Sequence, residues 1–153
     1  MKVIYARKPG LLFIASKIYR FQERSITLEP TTKLLILTLV SKLNGCQFCN
    51  DIALAQVIKS KLGTEKFYAL GVGANEDMAT FSDKEKAVIR FVTEYSEKKQ
   101  VSDETFSELR RHFTDDQIVE IGALNAFEQY FNALAIPLGI ESDGLRKIAE
   151  ASV

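Results

Sequence analysis

The sequence is divided into helix-length segments by residues that start and stop helices, and this punctuation constrains the fold more than any other feature. Apolar residues recur at helical spacing within the segments. No repeated alternation of apolar and polar residues, the pattern of a half-buried strand, occurs between them. The sequence therefore predicts an all-α protein with about six to eight helices.

Most of the helix boundaries follow from local chemistry. Pro9 and Pro30 suit the first turn of a helix, which does not need their missing N–H. Gly45 can end the helix that runs from Pro30 to about Leu43, because glycine accepts the left-handed conformation. A loop is expected over residues 71–82, and Pro137 ends or kinks the long last helix. Helix starts are predicted at Pro9, Pro30, Thr64, Ser82, Ser102 and Thr114, with capping boxes at Ser82/Glu85 and Thr114/Gln117.

The composition limits the class of protein. We expect a single domain over residues 1–153, long enough to bury roughly 68–70% of its unfolded surface without a metal or disulfide. Twenty basic residues balance twenty acidic ones without a basic block, so nucleic acid is a poor candidate partner. The longest apolar stretch is far shorter than the roughly 20 residues of a membrane span, so we expect no membrane contact and a cytoplasmic location.

Cys46 and Cys49 are the only cysteines, and they stand three residues apart at a predicted helix start. Residues i and i+3 share one face of a helix, so the two sulfurs can meet. The partial positive charge of a helix N-terminus favours a thiolate there. One thiolate to attack and a second thiol to resolve the product are the requirements of dithiol redox chemistry, which is the interpretation we favour.

A Cys-x-x-Cys pair has four other interpretations. A structural zinc ion takes four protein ligands, but the only histidine, His112, is distant in sequence. Covalent haem needs a histidine directly after the second cysteine, where this chain has Asn50. A thioredoxin-like domain needs a βαβ unit, which the pattern does not contain. The two cysteines could also be small buried hydrophobic residues without a chemical role.

The cysteine turn and the segments after it resemble the carboxymuconolactone decarboxylase family, in its alkylhydroperoxidase D-like branch. Residues 44–51 (NGCQFCND) follow the apolar helix 32–43 and are similar to the signature turn of that family. The likeness continues at residues 82–87, 101–103, 113–116, 118–120, 132 and 138–140. It covers about residues 30–145 and implies a single-domain helical alkylhydroperoxidase D-like fold.

The resemblance implies an antioxidant oxidoreductase of the peroxiredoxin type. Cys49 would attack a hydroperoxide and become a sulfenic acid, and Cys46 would resolve it as a disulfide. No flavin, haem or metal cofactor is expected. The oxidised pair would be reduced by a dithiol or a lipoylated protein, and similar proteins commonly form trimers or hexamers.

Two positions depart from the family pattern. The family usually has a glutamate twelve residues before the first cysteine and a histidine four residues after the second, which together relay a proton. This chain has Leu34 and Ala53 there, and neither can accept a proton. An alternative function is therefore a non-catalytic oligomeric binding or redox-sensor module of the same fold. Lactone decarboxylation, which needs the histidine, is the weakest alternative.

Glu128 is the residue that could replace the relay as a base. With Asn125, Gln129 and Asn132 it forms a polar strip on the long helix, which we interpret as a solvated or subunit-facing side. Asp51, two residues after Cys49, should point to a different face.

The remaining candidates are expected to be structural. His112 should be a surface residue near a helix C-terminus, where its charge would suit the helix dipole. Five aromatic residues have core-like spacing, and some could line a pocket for an apolar peroxide: Tyr68, Tyr95, Phe127, Tyr130 and Phe131.

Overall fold

A computed structural model of the chain describes residues 2–70 and 78–152, with side chains from residue 4 onward. These residues contain nine α-helices, one 3₁₀ turn at Met78–Thr80 and no strand, which confirms the all-α prediction. The helices are α1 (Lys2–Arg7), α2 (Pro9–Arg24), α3 (Pro30–Leu43), α4 (Gln47–Lys59), α5 (Thr64–Ala69), α6 (Asp83–Lys98), α7 (Asp103–Arg110), α8 (Asp115–Ala135) and α9 (Leu145–Glu150).

The predicted helix boundaries are largely confirmed. Pro9 and Pro30 are the first residues of α2 and α3. Both capping boxes, at the starts of α6 and α8, have their two reciprocal hydrogen bonds. Most of the loop expected over residues 71–82 lies outside the described residues. Helices α1 and α9, of six residues each, were not predicted from the sequence.

Helix α3 is the centre of the core because it is apolar on nearly all sides. It packs against α4, α6 and α8. Leu35, Ile36, Leu39 and Val40 are fully buried along its length. Truncating such a side chain to alanine typically costs about 2–5 kcal/mol, so α3 holds the fold together. The end of this rigid helix supports the cysteine turn.

Helices α4 and α9 are joined by a side-chain cap. Asp51 accepts hydrogen bonds from the backbone N–H groups of Leu145 (2.7 Å) and Arg146 (3.2 Å). The two helices also make an apolar contact, in which Ala55 and Ile58 of α4 pack with Ala149 of α9. Asp51 thus has a structural partner on another face from the cysteines, as predicted.

None of the five aromatic residues with core-like spacing is fully buried: Tyr95, Phe127, Tyr130 and Phe131 are half-buried, and Tyr68 is exposed. Tyr68 is 43% exposed, and its hydroxyl donates a hydrogen bond of 2.8 Å to Glu150. It lies in α5, a short helix with one buried residue, Phe67, so its spacing alone gave a false core assignment. None of the helices in the described part of the chain is both long and apolar enough to cross a membrane.

Candidate functional site: a cysteine pair beside a buried carboxyl group

Cys46 and Cys49 form a disulfide bond, with their Cα atoms 5.3 Å apart. Cys46 is the N-cap residue of α4, and its sulfur accepts a hydrogen bond of 3.3 Å from the backbone N–H of Cys49. Both residues are nearly buried, at 2% and 6% exposure. The sequence prediction that the two sulfurs meet at a helix start is confirmed.

The turn that presents the cysteines is built by the chain just before them. Gly45 has φ 71°, the left-handed conformation predicted for it, and this reverses the chain after α3. The backbone N–H of Cys46 then donates to the carbonyl oxygen of Ser41 (2.9 Å). The carbonyl of Cys46 in turn accepts from Asn50 N–H (2.9 Å), which starts α4. The end of α3 therefore fixes the position of the first cysteine.

A cavity of about 780 Å³ opens beside this turn. Cys49 contributes to its wall, and Cys46 does not. Apolar residues contribute to its wall from α2, α4 and α8, and they are Leu12, Ala15, Phe48, Ile52, Ala53 and Phe131. Polar side chains of α2 also line it, among them Arg20 and Arg24. The cavity can admit an apolar molecule to the sulfur of Cys49.

Glu128 lines the same cavity from α8 and is only 8% exposed. Its Oε1 accepts hydrogen bonds from the hydroxyl of Ser41 (2.8 Å) and from Nδ2 of Asn132 (2.8 Å). Burial raises the pKa of this carboxyl group, and the hydrogen bonds from Ser41 and Asn132 lower it only in part. The site thus contains a carboxyl group that keeps its proton to a higher pH than a free carboxyl group does.

Asn44 connects the cysteine turn to the same helix. Its Nδ2 donates to Oε1 of Gln129 (2.8 Å) and to Oδ1 of Asn132 (2.9 Å). Asn132 in turn donates to Glu128, so a continuous chain of hydrogen bonds runs from the turn to the buried carboxyl group.

The solvated interpretation of the polar strip on α8 is wrong. Asn125, Glu128 and Asn132 are buried within the chain, and Gln129 is half-buried. Their spacing puts them on one face of α8, and that face packs against the end of α3 instead of facing water. Ser41 was missed from the sequence, although a serine inside an otherwise apolar helix is a signal for a buried polar partner.

The two residues that replace the family's relay, Leu34 and Ala53, lie in buried positions. Ala53 is buried and lines the cavity, while Leu34 belongs to the hydrophobic core around α3. His112 lies after the C-terminus of α7, where its Nε2 is 3.5 Å from Glu108. Neither His112 nor Glu108 lines the cavity. The structure does not bring His112 to the cysteines.

Within residues 2–70 and 78–152, no three His, Cys, Asp or Glu side chains converge in a way that could hold a metal ion.

Two solved structures show which class of fold this is. The first is a protein of unknown function from Agrobacterium tumefaciens, described as a candidate antioxidant defence protein AhpD. It has a TM-score of 0.84 at 21% identity, over 91% of this chain and 94% of that one. The second, an uncharacterized peroxidase-related protein from Silicibacter, has a TM-score of 0.77 at 20% identity, over 88% of this chain and 71% of that one. The fold is therefore that of the AhpD-like helical proteins.

A sequence relative is also known. The chain is 27% identical over 137 residues to the uncharacterized protein YdfG of Bacillus subtilis. The aligned residues are 88% of this chain and 91% of that protein. No protein-family model matches the chain. The AhpD-like fold predicted from the cysteine turn is thus confirmed, while the wider carboxymuconolactone decarboxylase assignment stays a prediction.

Proposed function

We propose that this protein is a thiol-dependent oxidoreductase that reduces hydroperoxides with Cys49 and Cys46. The observation that carries the proposal is that Cys49 faces a largely apolar cavity while its sulfur is bonded to that of Cys46. The substrate would reach Cys49 from the cavity, and the resolving thiol of Cys46 would lie next to it. The AhpD-like fold supports the same chemistry, since the solved structures that share it include a candidate antioxidant defence protein and a peroxidase-related protein.

The proposed cycle has three steps. The thiolate of Cys49 attacks the terminal oxygen of the hydroperoxide, the O–O bond breaks, and the alkoxide leaves as an alcohol after taking one proton. The Cys49 sulfenic acid is then attacked by Cys46, which forms the disulfide and releases water. An external dithiol reduces the disulfide through a mixed disulfide and is itself oxidised.

The positions of the two cysteines support these roles. Cys49 meets the cavity, so it is the sulfur that a substrate can reach. Cys46 caps α4, where the N–H of Cys49 and the positive end of the helix favour a thiolate. A resolving thiolate held beside Cys49 would trap the sulfenic acid before it is oxidised further.

Trapping of the sulfenic acid tests the assignment. Reduced Cys46→Ser and Cys49→Ser variants are treated with one equivalent of cumene hydroperoxide and then with dimedone, and the adduct is located by mass spectrometry. We expect an adduct on Cys49 in the Cys46→Ser variant and none on Cys46 in the Cys49→Ser variant. An adduct on Cys46 alone would reverse the roles. Peroxide loss equal to that of the double-serine variant would end the proposal.

The second candidate is a redox-sensor or binding module that forms the disulfide without turnover. The apolar residues Leu34 and Ala53 favour it, because the usual proton relay cannot form with them. Steady-state peroxide consumption with dihydrolipoamide as reductant separates the two functions. Saturable turnover at many equivalents per subunit supports the enzyme, whereas one equivalent followed by a stable disulfide supports the sensor.

The proposal includes a homo-oligomer, a trimer or hexamer by resemblance, and a dithiol or lipoyl reductant. Apolar side chains on α2 support self-association, because Leu12, Phe13 and Ile14 are exposed in the single chain. Light scattering coupled to size exclusion measures the mass in solution. A mass of one subunit at micromolar concentration would contradict the oligomer.

A further inference from the structure

The hydrogen bonds around Glu128 provide too little compensation for a buried negative charge. An ionised carboxylate has about four acceptor positions. In the described residues, Glu128 receives two neutral hydrogen bonds, both on Oε1. One of the donors is shared, because the single hydroxyl proton of Ser41 also has the carbonyl of Leu37 as an acceptor at 2.7 Å.

The second oxygen of the carboxyl group is left for the cavity. Oε2 has no hydrogen-bond partner among the described residues, and none of their ion pairs involves Glu128. Burying a charge without a paired cation is costly, and a carboxylate in such a place holds a proton instead. A proton on Oε2 removes the charge while Oε1 accepts both hydrogen bonds, and it leaves Oε2–H as a donor available to a molecule in the cavity that Glu128 lines.

We infer that Glu128 is kept as a neutral carboxylic acid and donates its proton to the alkoxide that leaves when Cys49 attacks a hydroperoxide. The inference rests on the proposed function and adds a catalytic residue to it. Cys49 and Glu128 line the same cavity, so one molecule bound there can reach both residues. The acid thus acts on the leaving oxygen, whereas the missing family relay would have acted on the thiols.

The proton and electron balance of the step is complete. Cys49 thiolate, the hydroperoxide and neutral Glu128 become Cys49 sulfenic acid, the alcohol and Glu128 carboxylate. The sulfur loses two electrons, which the O–O bond accepts as it breaks. Glu128 then regains from water the equivalent of the proton that the Cys49 thiol released on ionising.

The hydrogen-bond network holds the acid in register with the cysteines. Ser41 bonds Glu128 through its hydroxyl and Cys46 through its carbonyl. Asn132 bonds Glu128 directly and Asn44 through its Oδ1. The titratable and charged groups that line the same cavity are Tyr5, Tyr19, Arg20, Glu23, Arg24 and Cys49.

Leaving-group dependence separates an acid from a structural residue. The rate of Cys49 oxidation is measured by stopped flow for wild type and Glu128→Gln with two oxidants, cumene hydroperoxide and peracetic acid. Cumene hydroperoxide expels a basic alkoxide that needs the proton, while peracetic acid expels acetate, which does not. We expect Glu128→Gln to slow the first reaction by about 10²- to 10⁴-fold, the usual value of general acid catalysis, and the second by less than about tenfold.

The control is Asp116→Asn, which neutralises an exposed carboxylate at the start of the same helix. It should leave both rates unchanged. If Glu128→Gln slows the reactions with both oxidants equally, Glu128 has a structural role and the inference is overturned. Wild-type rates with both oxidants would also overturn it. If wild type itself reacts with neither oxidant faster than the double-serine variant, the proposed function fails and the catalytic part of the inference fails with it.

The protonation state has its own measurement, independent of turnover. Infrared difference spectra of wild type and Glu128→Gln at neutral pH should contain the carbonyl stretch of one protonated carboxylic acid in the wild type. A carboxylate band in its place would overturn the inference even if the protein reduces hydroperoxides.

Discussion

The side-chain amide of Asn44 donates a hydrogen bond of 2.9 Å to Oδ1 of Asn132, and this bond ties the cysteine turn to α8. Asn44 lies two residues before Cys46, and Asn132 lies one helical turn after Glu128. The relative position of the dithiol and the buried acid therefore depends on this pair.

Removing the amide of Asn44 should destabilise the protein. Asn44→Ala leaves Gln129 Oε1 and Asn132 Oδ1 without a donor, and a buried unsatisfied polar group costs about 1–3 kcal/mol. Asn44→Asp should cost at least as much, because it places an oxygen opposite two acceptor oxygens. Urea denaturation of the disulfide form measures the free energy of unfolding, with the exposed Gln100→Ala as the control. Equal stability of Asn44→Ala and the control would show that the bond does not hold the turn.

The stability of the protein should depend on pH through Glu128. Burial raises the pKa of this group in the folded state, so its protonated form stabilises the fold at low pH. This contribution is present below the pKa of the unfolded chain and is lost as pH rises through the raised folded value. In Glu128→Gln the side chain is neutral at every pH, so the stability of the variant should not show this decrease as pH rises. The difference in Tm between the variant and wild type should therefore shift in favour of the variant as pH rises, and Asp116→Asn should show no such trend.

The rate of Cys49 oxidation should also depend on the protonation of Glu128. The rate with cumene hydroperoxide should fall on the alkaline side as Glu128 ionises, and it should rise on the acid side as Cys49 becomes a thiolate. Glu128→Gln should lose the alkaline decrease and keep the acid-side rise. Pre-steady-state rates over a pH series measure both limbs, and an unchanged alkaline limb in the variant would assign it to another group.

The capping carboxylate Asp51 should matter for α9 and not for the dithiol. Asp51→Ala removes the acceptor of two backbone N–H groups, a loss typical of caps at about 0.5–2 kcal/mol. Hydrogen exchange of residues 145–150 should accelerate, while the alkylation rate of the reduced cysteines stays at the wild-type value. Asp143→Ala, an exposed neighbour of α9, is the matched control. A large change in thiol reactivity would give Asp51 a part in the site that its contacts do not indicate.

Filling the cavity should discriminate between peroxides by size. Ala53→Leu adds a branched side chain to the cavity wall that Cys49 also lines. It should slow the reaction with cumene hydroperoxide by at least tenfold relative to the reaction with hydrogen peroxide. The control is Ala126→Leu at an exposed position of α8. Overpacking can cost about 1–3 kcal/mol, so the Tm is measured alongside. An equal change for both peroxides would mean that the bulky group does not occupy this cavity.

Local signals fixed most of the helices and the place of the cysteines. Pro30 and the Ser82/Glu85 capping box act within one turn, and their effect can be read without knowing what the helix packs against. The same holds for the left-handed Gly45 and for two cysteines at i and i+3. Such information is complete within a few residues, so the cysteine turn and the helical class follow from the sequence.

The tertiary structure alone decided which polar groups surround the dithiol. Asn125, Glu128 and Asn132 have the spacing of a helix face, and that spacing is the same for a face in water and a face in the core. Ser41 and Glu128 are 87 residues apart, and only the packing of α3 against α8 brings them within hydrogen-bond distance. The local sequence therefore determined where the two thiols lie and that they meet. Long-range packing determined that a buried acid lines the same cavity as Cys49.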